Sequence, residues 1–378
     1  MTITVRPVDD RDYRAINGLH RSVGWPQRSE AGWRWLRDNP AQRETSAPAG
    51  WLLETADGDA CGFVGNFVQR FHYESRVVHG ATAFSIIVQP RAKGNSRQLL
   101  TAFTSQPGLF ALYTFNANPL SSPLYERYGM QAWPNQTHAL KLSWRLDTLA
   151  CAGGRLWREI DRRAPRLIDP ANERLLNPRL GSPAPLRLPP AVAVLSDLAD
   201  QSRYGDFWEA LKAEGQLIAD RSPATLRWRL SDPDMTLRPL LLAYNRGRSI
   251  RGYAMAVMSK GNPIEPPMLE ILDIVALADK QDAIPALMQA LLENARNLGA
   301  AKLRIQTVNP ELLLRLGAYA DSARHEGGWG HCHARFAPDA PGVGSWSPTP
   351  FDGDYGISLR PVPVPTTMAA PAVERRAA

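Results

Sequence analysis

Three pairs of matching positions recur along this chain at nearly the same separation. The segment SEAGWRWLRDNP, which begins at Ser29, resembles SPATLRWRLSDP, which begins at Ser222, and the aligned tryptophans lie 193 residues apart. Two further pairs, one of glycines and one of valines that end apolar runs, are 188 and 187 residues apart: Gly129 with Gly317, and Val88 with Val275. This spacing indicates a tandem duplication, the alternative being the general similarity that any two α/β units share.

A duplicated chain of this length accommodates two units of ordinary domain size. Four segments are predicted: a first unit at 1–146, an Arg- and Pro-rich linker at 147–190, a second unit at 191–340, and a C-terminal extension at 341–378. Trp346 and the Asp352-Gly353-Asp354 turn are expected to fold back onto the second unit. The last dozen residues are rich in Pro and Ala and are expected to be disordered.

The order of strand and helix patterns predicts the fold class. Apolar runs with strand character alternate with amphipathic helical stretches in the order β-α-α-β-β-β-α-β-α-β over the first unit. Turn residues separate the runs, as in the hairpin around Asp57-Gly58-Asp59. We therefore predict an α/β protein with mixed (α+β) sheets, in which each of two tandem units is a twisted mixed β-sheet flanked by helices.

The composition excludes several classes of protein. Hydrophobic residues make up 44% of the 378-residue chain and charged residues 21%, which is typical of a globular protein with an ample core. The sequence contains no apolar run of 18 residues and no apolar signal segment, so no membrane partner is expected. Three widely spaced cysteines form neither a disulfide framework nor a metal motif. We expect a reduced, cytoplasmic setting and no metal cofactor.

The positive net charge admits two kinds of partner. The chain carries a formal charge of +7, and part of the excess comes from eight arginines within 155–187. A basic chain can attract nucleic acid, but it equally suits an enzyme that binds a polyanionic cofactor. Because no nucleic-acid-binding motif accompanies the charge, nucleic acid is not an expected partner. A homodimer is compatible with the sequence.

A basic, glycine-containing turn follows the strand that ends near Gln89. It reads Arg91-Ala92-Lys93-Gly94-Asn95-Ser96, and a helix begins directly after it. A turn of this kind between a strand and a helix N-terminus directs several backbone N–H groups to one point, which suits a phosphate. It matches neither the Walker pattern nor GxGxxG.

A second motif follows the apolar run at 109–115. Asn118, Tyr125 and Gly129 lie there in sequence, and Gly129 suits the end of a short helix because glycine adopts positive φ readily. An ordinary Gly-capped helix explains Gly129 alone, and a core tyrosine is the alternative interpretation of Tyr125. Neither alternative explains the order of the two motifs along the chain.

Together the two motifs resemble those of the GNAT superfamily of acetyl-coenzyme A-dependent N-acetyltransferases. The first corresponds to the family's pyrophosphate loop, (Gln/Arg)-x-x-Gly-x-(Gly/Ala), with Ser96 in the last position. The resemblance implies acetyl-CoA as acyl donor and transfer to a primary amine of a small molecule, amino sugar or peptide within a ternary complex. The residues implied to bind this cofactor are Ile87, Val88, Arg91, Lys93, Gly94, Asn95, Ser96 and Asn118.

The resemblance also assigns catalytic roles. Tyr125 lies where family members have a general acid for the thiolate leaving group. No carboxylate occurs between Phe84 and Val88, where some relatives have one. Glu74 and His79 are therefore the candidate general bases, directly or through water, with Glu54 as a further candidate; a water chain without a single base is the alternative.

The second unit lacks the residues of the cofactor loop. Opposite Arg91–Ser96 it reads Ala278-Asp279-Lys280-Gln281-Asp282-Ala283, in which the glycine is absent and two carboxylates would repel a pyrophosphate. Leu313 stands where the first unit has Tyr125. The second unit is therefore predicted to be degenerate. Two other functions stay open: an acyltransferase resembling the tandem GNAT-like enzymes that use aminoacyl-tRNA, and a non-catalytic module that binds acyl-CoA.

Overall fold

A computed structural model of the chain describes residues 2–164, 177, 180, 185–327 and 329–363. The strands are β1 (Ile3–Pro7), β2 (Gly50–Thr55), β3 (Ala60–Tyr73), β4 (Arg76–Val88), β5 (Ala111–Ala117), β6 (Gln131–Ala132), β7 (Lys141–Arg145), β8 (Val192–Val194), β9 (Ile218–Ala219), β10 (Leu240–Arg246), β11 (Ser249–Lys260), β12 (Met268–Ala276), β13 (Lys302–Ile305), β14 (Arg324–Glu326), β15 (His331–Phe336) and β16 (Arg360–Pro361). The helices are α1 (Tyr13–Ser22), α2 (Glu30–Arg37), α3 (Pro40–Thr45), α4 (Ser96–Thr104), α5 (Ser122–Arg127), α6 (Thr148–Arg163), α7 (Arg203–Lys212), α8 (Pro223–Leu230), α9 (Ala283–Ala295), α10 (Pro310–Leu316) and α11 (Ala318–Ser322).

The helices of the duplicated segments begin at serine caps. The Ser29 side chain accepts a hydrogen bond from the N–H of Gly32 at 2.9 Å, and Ser222 accepts one from Thr225 at 3.3 Å. Each cap satisfies a backbone donor that has no partner inside its helix. Both segments of the repeat therefore begin a helix after a serine, α2 after Ser29 and α8 after Ser222. Among the described helices, none has the length and apolarity needed to cross a bilayer.

The strands form two mixed sheets of eight strands each. The first sheet has the order β1-β2-β3-β4-β5-β15-β6, with β9 beside β3. The second has the order β14-β7-β13-β12-β11-β10-β8, with β16 beside β11. Each sheet contains one parallel pair, β4 with β5 and β12 with β13, and helices pack against both sheets. The predicted fold class of two mixed sheets flanked by helices is confirmed.

The two sheets exchange strands. β7 follows the first sheet in the chain but pairs antiparallel with β13 of the second, and β15 pairs antiparallel with β5 of the first. The predicted units 1–146 and 191–340 therefore each contribute their last strand to the other sheet. Pairing with the exchanged strand covers the edges of β5 and β13, which would otherwise expose unpaired backbone groups.

The aligned tryptophans of the duplication stack on each other beside β3 of the first sheet. The rings of Trp35 and Trp228 stack with centroids 4.3 Å apart and an interplanar angle of 7°. The Trp35 indole N–H also donates to the carbonyl of Trp228 at 3.0 Å. Offset aromatic pairs of this kind contribute roughly 0.5–1.5 kcal/mol beyond the burial of their surface. The positions that align in sequence therefore pack against each other in the structure.

A buried ion-pair network fixes the C-terminal segment between the sheets. Arg221, which is 1% exposed, donates to Asp273 of β12 at 2.8 Å and to Asp352 at 2.6 Å. The backbone carbonyl of Asp352 accepts a hydrogen bond from the hydroxyl of Tyr113 in β5 at 2.7 Å. Burial opposes the charge on Arg221, but the two carboxylates outweigh it, and the pKa of Arg221 is raised. One guanidinium thus links the second sheet to the segment that contacts the first.

Aromatic packing holds the same segment against the first sheet. The Trp346 indole donates to the carboxylate of Asp352 at 3.0 Å. Its ring contacts a cluster of aromatic side chains from the strands of the first sheet and their connections: Phe71, Phe110, Tyr113, Phe115, Trp133 and Phe336. The C-terminal extension was expected to fold onto the second unit, and the structure instead places it in contact with both sheets.

Removal of the Arg221 guanidinium should destabilise the protein strongly. In Arg221→Met, Asp273 and Asp352 would stay buried without their cation, so we expect the free energy of unfolding to fall by about 3–5 kcal/mol. Arg227→Met is the matched control, since Arg227 is half-exposed and pairs with the exposed Asp200, and its loss should change stability by less than about 1 kcal/mol. Urea unfolding measures both; similar values for the two variants would contradict the assigned role of Arg221.

Candidate functional site

The candidate site lies where β4 and β5 separate. The two strands pair in parallel over only three residues each, Gly80–Thr82 with Ala111–Tyr113. Beyond that point 83–86 of β4, 114, 116 and 117 of β5, and Asn118 directly after β5 line a cavity of about 510 Å³. This volume lies within the range of roughly 300–1,000 Å³ that is usual for small-molecule pockets. The cavity therefore gives a ligand access to the backbone edges of two diverging strands.

A β-bulge interrupts β4 at the cavity wall. The pairing of β3 with β4 shifts register between Phe63 and Gly65, so that Ser85 and Ile86 together oppose one residue of β3. Ser85 has a φ of +53°, an uncommon conformation for a residue with a side chain. A bulge leaves backbone groups outside the sheet ladder and re-aims them. Here the bulge lies on the wall of the cavity.

The second sheet and the C-terminal segment form the opposite side of the cavity. Met258 and Lys260 of β11 and Arg304 of β13 line it, together with Trp329. The segment 354–361 crosses between the two sheets and also lines the cavity. A ligand in this cavity would therefore contact both halves of the duplicated chain.

Asp354 is a buried carboxylate at the separation of β4 and β5. Its Oδ1 accepts hydrogen bonds from the N–H of Phe115 in β5 at 3.1 Å and from the hydroxyl of Thr82 in β4 at 3.3 Å. The residue is 2% exposed and forms no ion pair with another described residue. Burial raises the pKa of Asp354 to about 6, although these hydrogen bonds favour the charged form. A carboxylate of this pKa can accept a proton near neutral pH.

The residues on either side of Asp354 hold it in place. Asp352 belongs to the Arg221 network, and the Tyr355 hydroxyl forms a 2.8 Å hydrogen bond with Glu270 of β12. Arg304 donates to the same hydroxyl at 2.7 Å and also pairs with Glu270. The backbone around Asp354 is thus anchored to the second sheet on both sides, while its carboxylate contacts the first.

Tyr125 lines the same cavity. It lies on α5, is 2% exposed, and its ring is 6.4 Å from that of His333 in a stacked orientation. Burial raises the pKa of Tyr125, and the nearby carboxylate of Asp354 raises it further. The phenol therefore stays protonated at neutral pH. The structure brings this predicted residue close to a carboxylate that the sequence analysis did not assign to the site.

Asn118 also lines the cavity, at the end of β5. Its side-chain oxygen accepts hydrogen bonds from the N–H groups of Leu120 and Ser121, both at 2.9 Å. This pattern is an Asx turn, which fixes the chain as it leaves the strand. The resemblance implies that Asn118 binds the cofactor; in the structure its side chain fixes the loop that follows β5.

The basic loop lies between β4 and α4. Gly94 has a φ of +92°, and no atom lies within 4 Å of a Cβ built on it, so the loop is open on this side. The N–H groups of Ala92, Lys93 and Asn95 donate within the turn. Arg91 donates to the side chain of Gln89 at 2.9 Å and to the carbonyl of Ala60 at 3.1 Å.

The remaining residues predicted to bind the cofactor lie within this loop or next to it in the chain. Ser96 is the first residue of α4, and Lys93 is exposed. Ile87 and Val88 pair with Phe63 and Gly62 of β3 directly before the loop. None of these residues lines the 510 Å³ cavity, which begins at 83–86 on the same strand. The cavity therefore lies beside the last part of β4, and the loop begins directly after that strand ends.

The structure does not bring Glu74 and His79 to the cavity. Glu74 is exposed in the turn between β3 and β4, and His79 hydrogen-bonds with Glu44 at 2.9 Å. β4 extends by about 3.3 Å per residue, so His79 is roughly 13 Å along the strand from Ala83, the first residue of β4 that lines the cavity. Glu54, the further candidate, pairs with Arg6 at 3.1 Å. A general base was expected at the cavity, and the carboxylate that the structure places there is the buried Asp354.

Comparison with known proteins supports the fold. The sequence matches no protein-family model and no curated protein. Among solved structures, yeast (Saccharomyces cerevisiae) N-myristoyltransferase with bound myristoyl-CoA is similar over 94% of this chain and 83% of its own, with a TM-score of 0.56 and 10% identity. A probable N-acyltransferase from Enterococcus faecalis V583 is similar over 89% of this chain and 73% of its own, with a TM-score of 0.51 and 11% identity.

A third solved structure carries the name of the family whose motifs the sequence resembles. A GCN5-related N-acetyltransferase from Anabaena variabilis ATCC 29413 is similar over 89% of this chain and 73% of its own, with a TM-score of 0.51 and 13% identity. Identities this low establish a shared fold and nothing finer. The chain therefore has a tandem GNAT-like fold, as the resemblance of its motifs implied.

Proposed function

We propose that this protein is an acyl-CoA-dependent N-acyltransferase that transfers an acetyl group from acetyl-CoA to a primary amine. The observation that carries this proposal is the position of Asp354, a buried carboxylate near Tyr125 at the point where β4 and β5 separate. The GNAT-like fold and the open Gly94 loop support an acyl-CoA donor.

The geometry suggests how the donor would lie. Those backbone N–H groups around Gly94 that do not donate within the turn would bind the pyrophosphate, assisted by the positive end of the α4 dipole. The pantetheine arm would then run along β4 to the cavity. The bulge at Ser85 would place a backbone N–H near the thioester oxygen, where it could stabilise the oxyanion of the tetrahedral intermediate.

Asp354 and Tyr125 would then divide the proton transfers between them. The amine nitrogen forms a bond to the thioester carbonyl carbon, and Asp354 accepts a proton from the attacking amine. The carbon–sulfur bond breaks, and Tyr125 donates its proton to the leaving thiolate. Overall one proton moves from the amine to coenzyme A, and a proton passed from Asp354 restores Tyr125.

The buried carboxylate favours catalysis over the non-catalytic alternative. Burying a carboxylate that lacks a cation is energetically unfavourable. A module that only bound acyl-CoA would not need a proton acceptor at the thioester end of its site. Release of coenzyme A thiol from acetyl-CoA in the presence of a panel of primary amines tests the proposal. Failure of the protein to bind acetyl-CoA would overturn it.

Substitution of Asp354 should remove one limb of the pH profile. In the wild type, kcat should fall as the pH drops through about 6, because the base becomes protonated. Asp354→Asn keeps an acceptor oxygen for Phe115 and Thr82 but cannot take a proton. We expect kcat to fall by roughly 10²–10⁴-fold and the limb near pH 6 to disappear. Asp339→Asn, at an exposed position before the segment, is the control and should behave as wild type.

The same substitution should stabilise the protein above pH 6. The pKa of Asp354 rises from its ordinary 3.8 to about 6 on folding, so the unfolded chain loses this proton first, and stability falls as the pH rises between these values. Asp354→Asn removes this loss, and we expect up to about 3 kcal/mol of added stability at pH 8 but none near pH 3.5. Urea unfolding at both pH values measures the difference. Equal or lower stability of the variant at pH 8 would contradict the assigned ionisation.

Substitution of Tyr125 should affect turnover rather than binding. Tyr125→Phe keeps the ring in the core but removes the proton donor, and we expect kcat to fall by about 10²-fold or more. Tyr128→Phe, on the same helix end, removes a hydroxyl that donates to the carbonyl of Arg97 at 3.0 Å and is the control. Calorimetric titration should give the same acetyl-CoA affinity for all three proteins. An unchanged kcat in Tyr125→Phe would assign the proton transfer to another group.

Substitution of Gly94 should weaken donor binding. A methyl group added at Gly94 meets no protein atom but would occupy the open side of the loop. Gly108→Ala is a matched control, because Gly108 follows the same helix, has a φ of +72° and is equally open. Both variants should lose about 1–2 kcal/mol of stability from backbone strain. Only Gly94→Ala should reduce acetyl-CoA affinity, by about 10-fold or more, in calorimetric titration; equal affinities would show that the loop does not bind the donor.

A further inference from the structure

The charges that line the cavity are neutralised within the protein at all but a few positions. Arg28 pairs with Asp232 and Asp234, and Glu265 pairs with Arg158 at 2.7 Å. Arg304 is held by Glu270, as described above. The charges of these groups are already neutralised by partners within the protein. A charged group that lines the cavity and has no partner of opposite charge in the described part of the chain indicates where a charged ligand would bind.

Arg360 of β16 is one such group. It lines the cavity, and Nη2 donates to the carbonyl of Gly24 at 2.7 Å. Within the described part of the chain, Nε has no acceptor and the guanidinium has no carboxylate partner. Burial lowers the pKa of Arg360, and no neighbouring acid opposes this effect. A half-buried guanidinium of this kind has unused donors in a geometry that suits an oxyanion.

We propose that the cavity binds an acceptor with an amine at one end and an acidic group, a carboxylate or a phosphate, at the other. Asp354 would face the amine and Arg360 would bind the acid. The two residues are six positions apart in the chain, which limits the distance between their Cα atoms to about 20 Å. This inference rests on the proposed function, and it narrows the acceptor to a zwitterionic compound.

Matched pairs of amines test the proposal. The probes are 4-aminobutanoate, 6-aminohexanoate and 8-aminooctanoate, each compared with its carboxamide, and 2-aminoethyl phosphate compared with 2-aminoethanol. Affinity is measured by calorimetry on the acetyl-CoA-loaded protein, and kcat and KM by thiol release. We expect at least one acid to bind about 10-fold or more tightly than its neutral counterpart. The carboxylate and phosphate series distinguish the two kinds of acid.

Variants of Arg360 test whether this residue causes the preference for amines that carry an acidic group. Arg360→Gln should abolish the difference by raising KM for the acid with little change in kcat, and Arg360→Lys should restore part of it. Arg248→Gln, at an exposed position in the turn between β10 and β11, should retain the wild-type preference.

Equal binding of acids and neutral amines, or binding of neither, would overturn the proposal. A loss of acetyl-CoA affinity in Arg360→Gln would also overturn it, because the guanidinium would then serve the donor. Failure of the wild type to bind acetyl-CoA would instead overturn the proposed function.

Discussion

The site depends on one buried guanidinium that is shared by two carboxylates. Arg221 bridges Asp273 of the second sheet and Asp352 of the C-terminal segment, and all three are almost completely buried. Removing one member of a buried ion pair leaves an uncompensated charge, so these three groups must assemble together. Because Asp352 also contacts Tyr113, this pairing determines where the segment crosses between the sheets. The position of Asp354, two residues further on, follows from it.

This arrangement explains why a degenerate second unit would be retained. The first sheet supplies the separated strands and the open loop, but its own strands provide no carboxylate beside Ser85. The carboxylate arrives on a segment anchored to the second sheet through Tyr355 and Glu270. The exchange of β7 and β15 further couples the two halves. Under the proposed function, neither half alone would contain a complete site.

Local patterns in the sequence predicted local structure well. The hairpin of β2 and β3 and the strand–loop–helix around Gly94 occur near their predicted positions, and both segments of the repeat form helices. Strand exchange and the insertion of Asp354 depend on pairings between residues hundreds of positions apart, for which a single sequence carries no local signal. Glu74 and His79 are candidate general bases in the sequence because they lie on or near a strand adjacent to the site. An extended strand separates such residues quickly, and the structure places Glu74 in the turn before β4 and His79 four residues before the first β4 residue that lines the cavity.

The structure of the protein with acetyl-CoA, determined by crystallography, tests the central claim most directly. We expect the pyrophosphate to contact the backbone of the loop at Gly94 and the pantetheine to run between β4 and β5. The thioester carbonyl should then lie at the Ser85 bulge, with the Asp354 carboxylate facing the side from which an amine would attack. A cofactor bound elsewhere, or a thioester remote from Asp354, would contradict the assignment of both the site and its base.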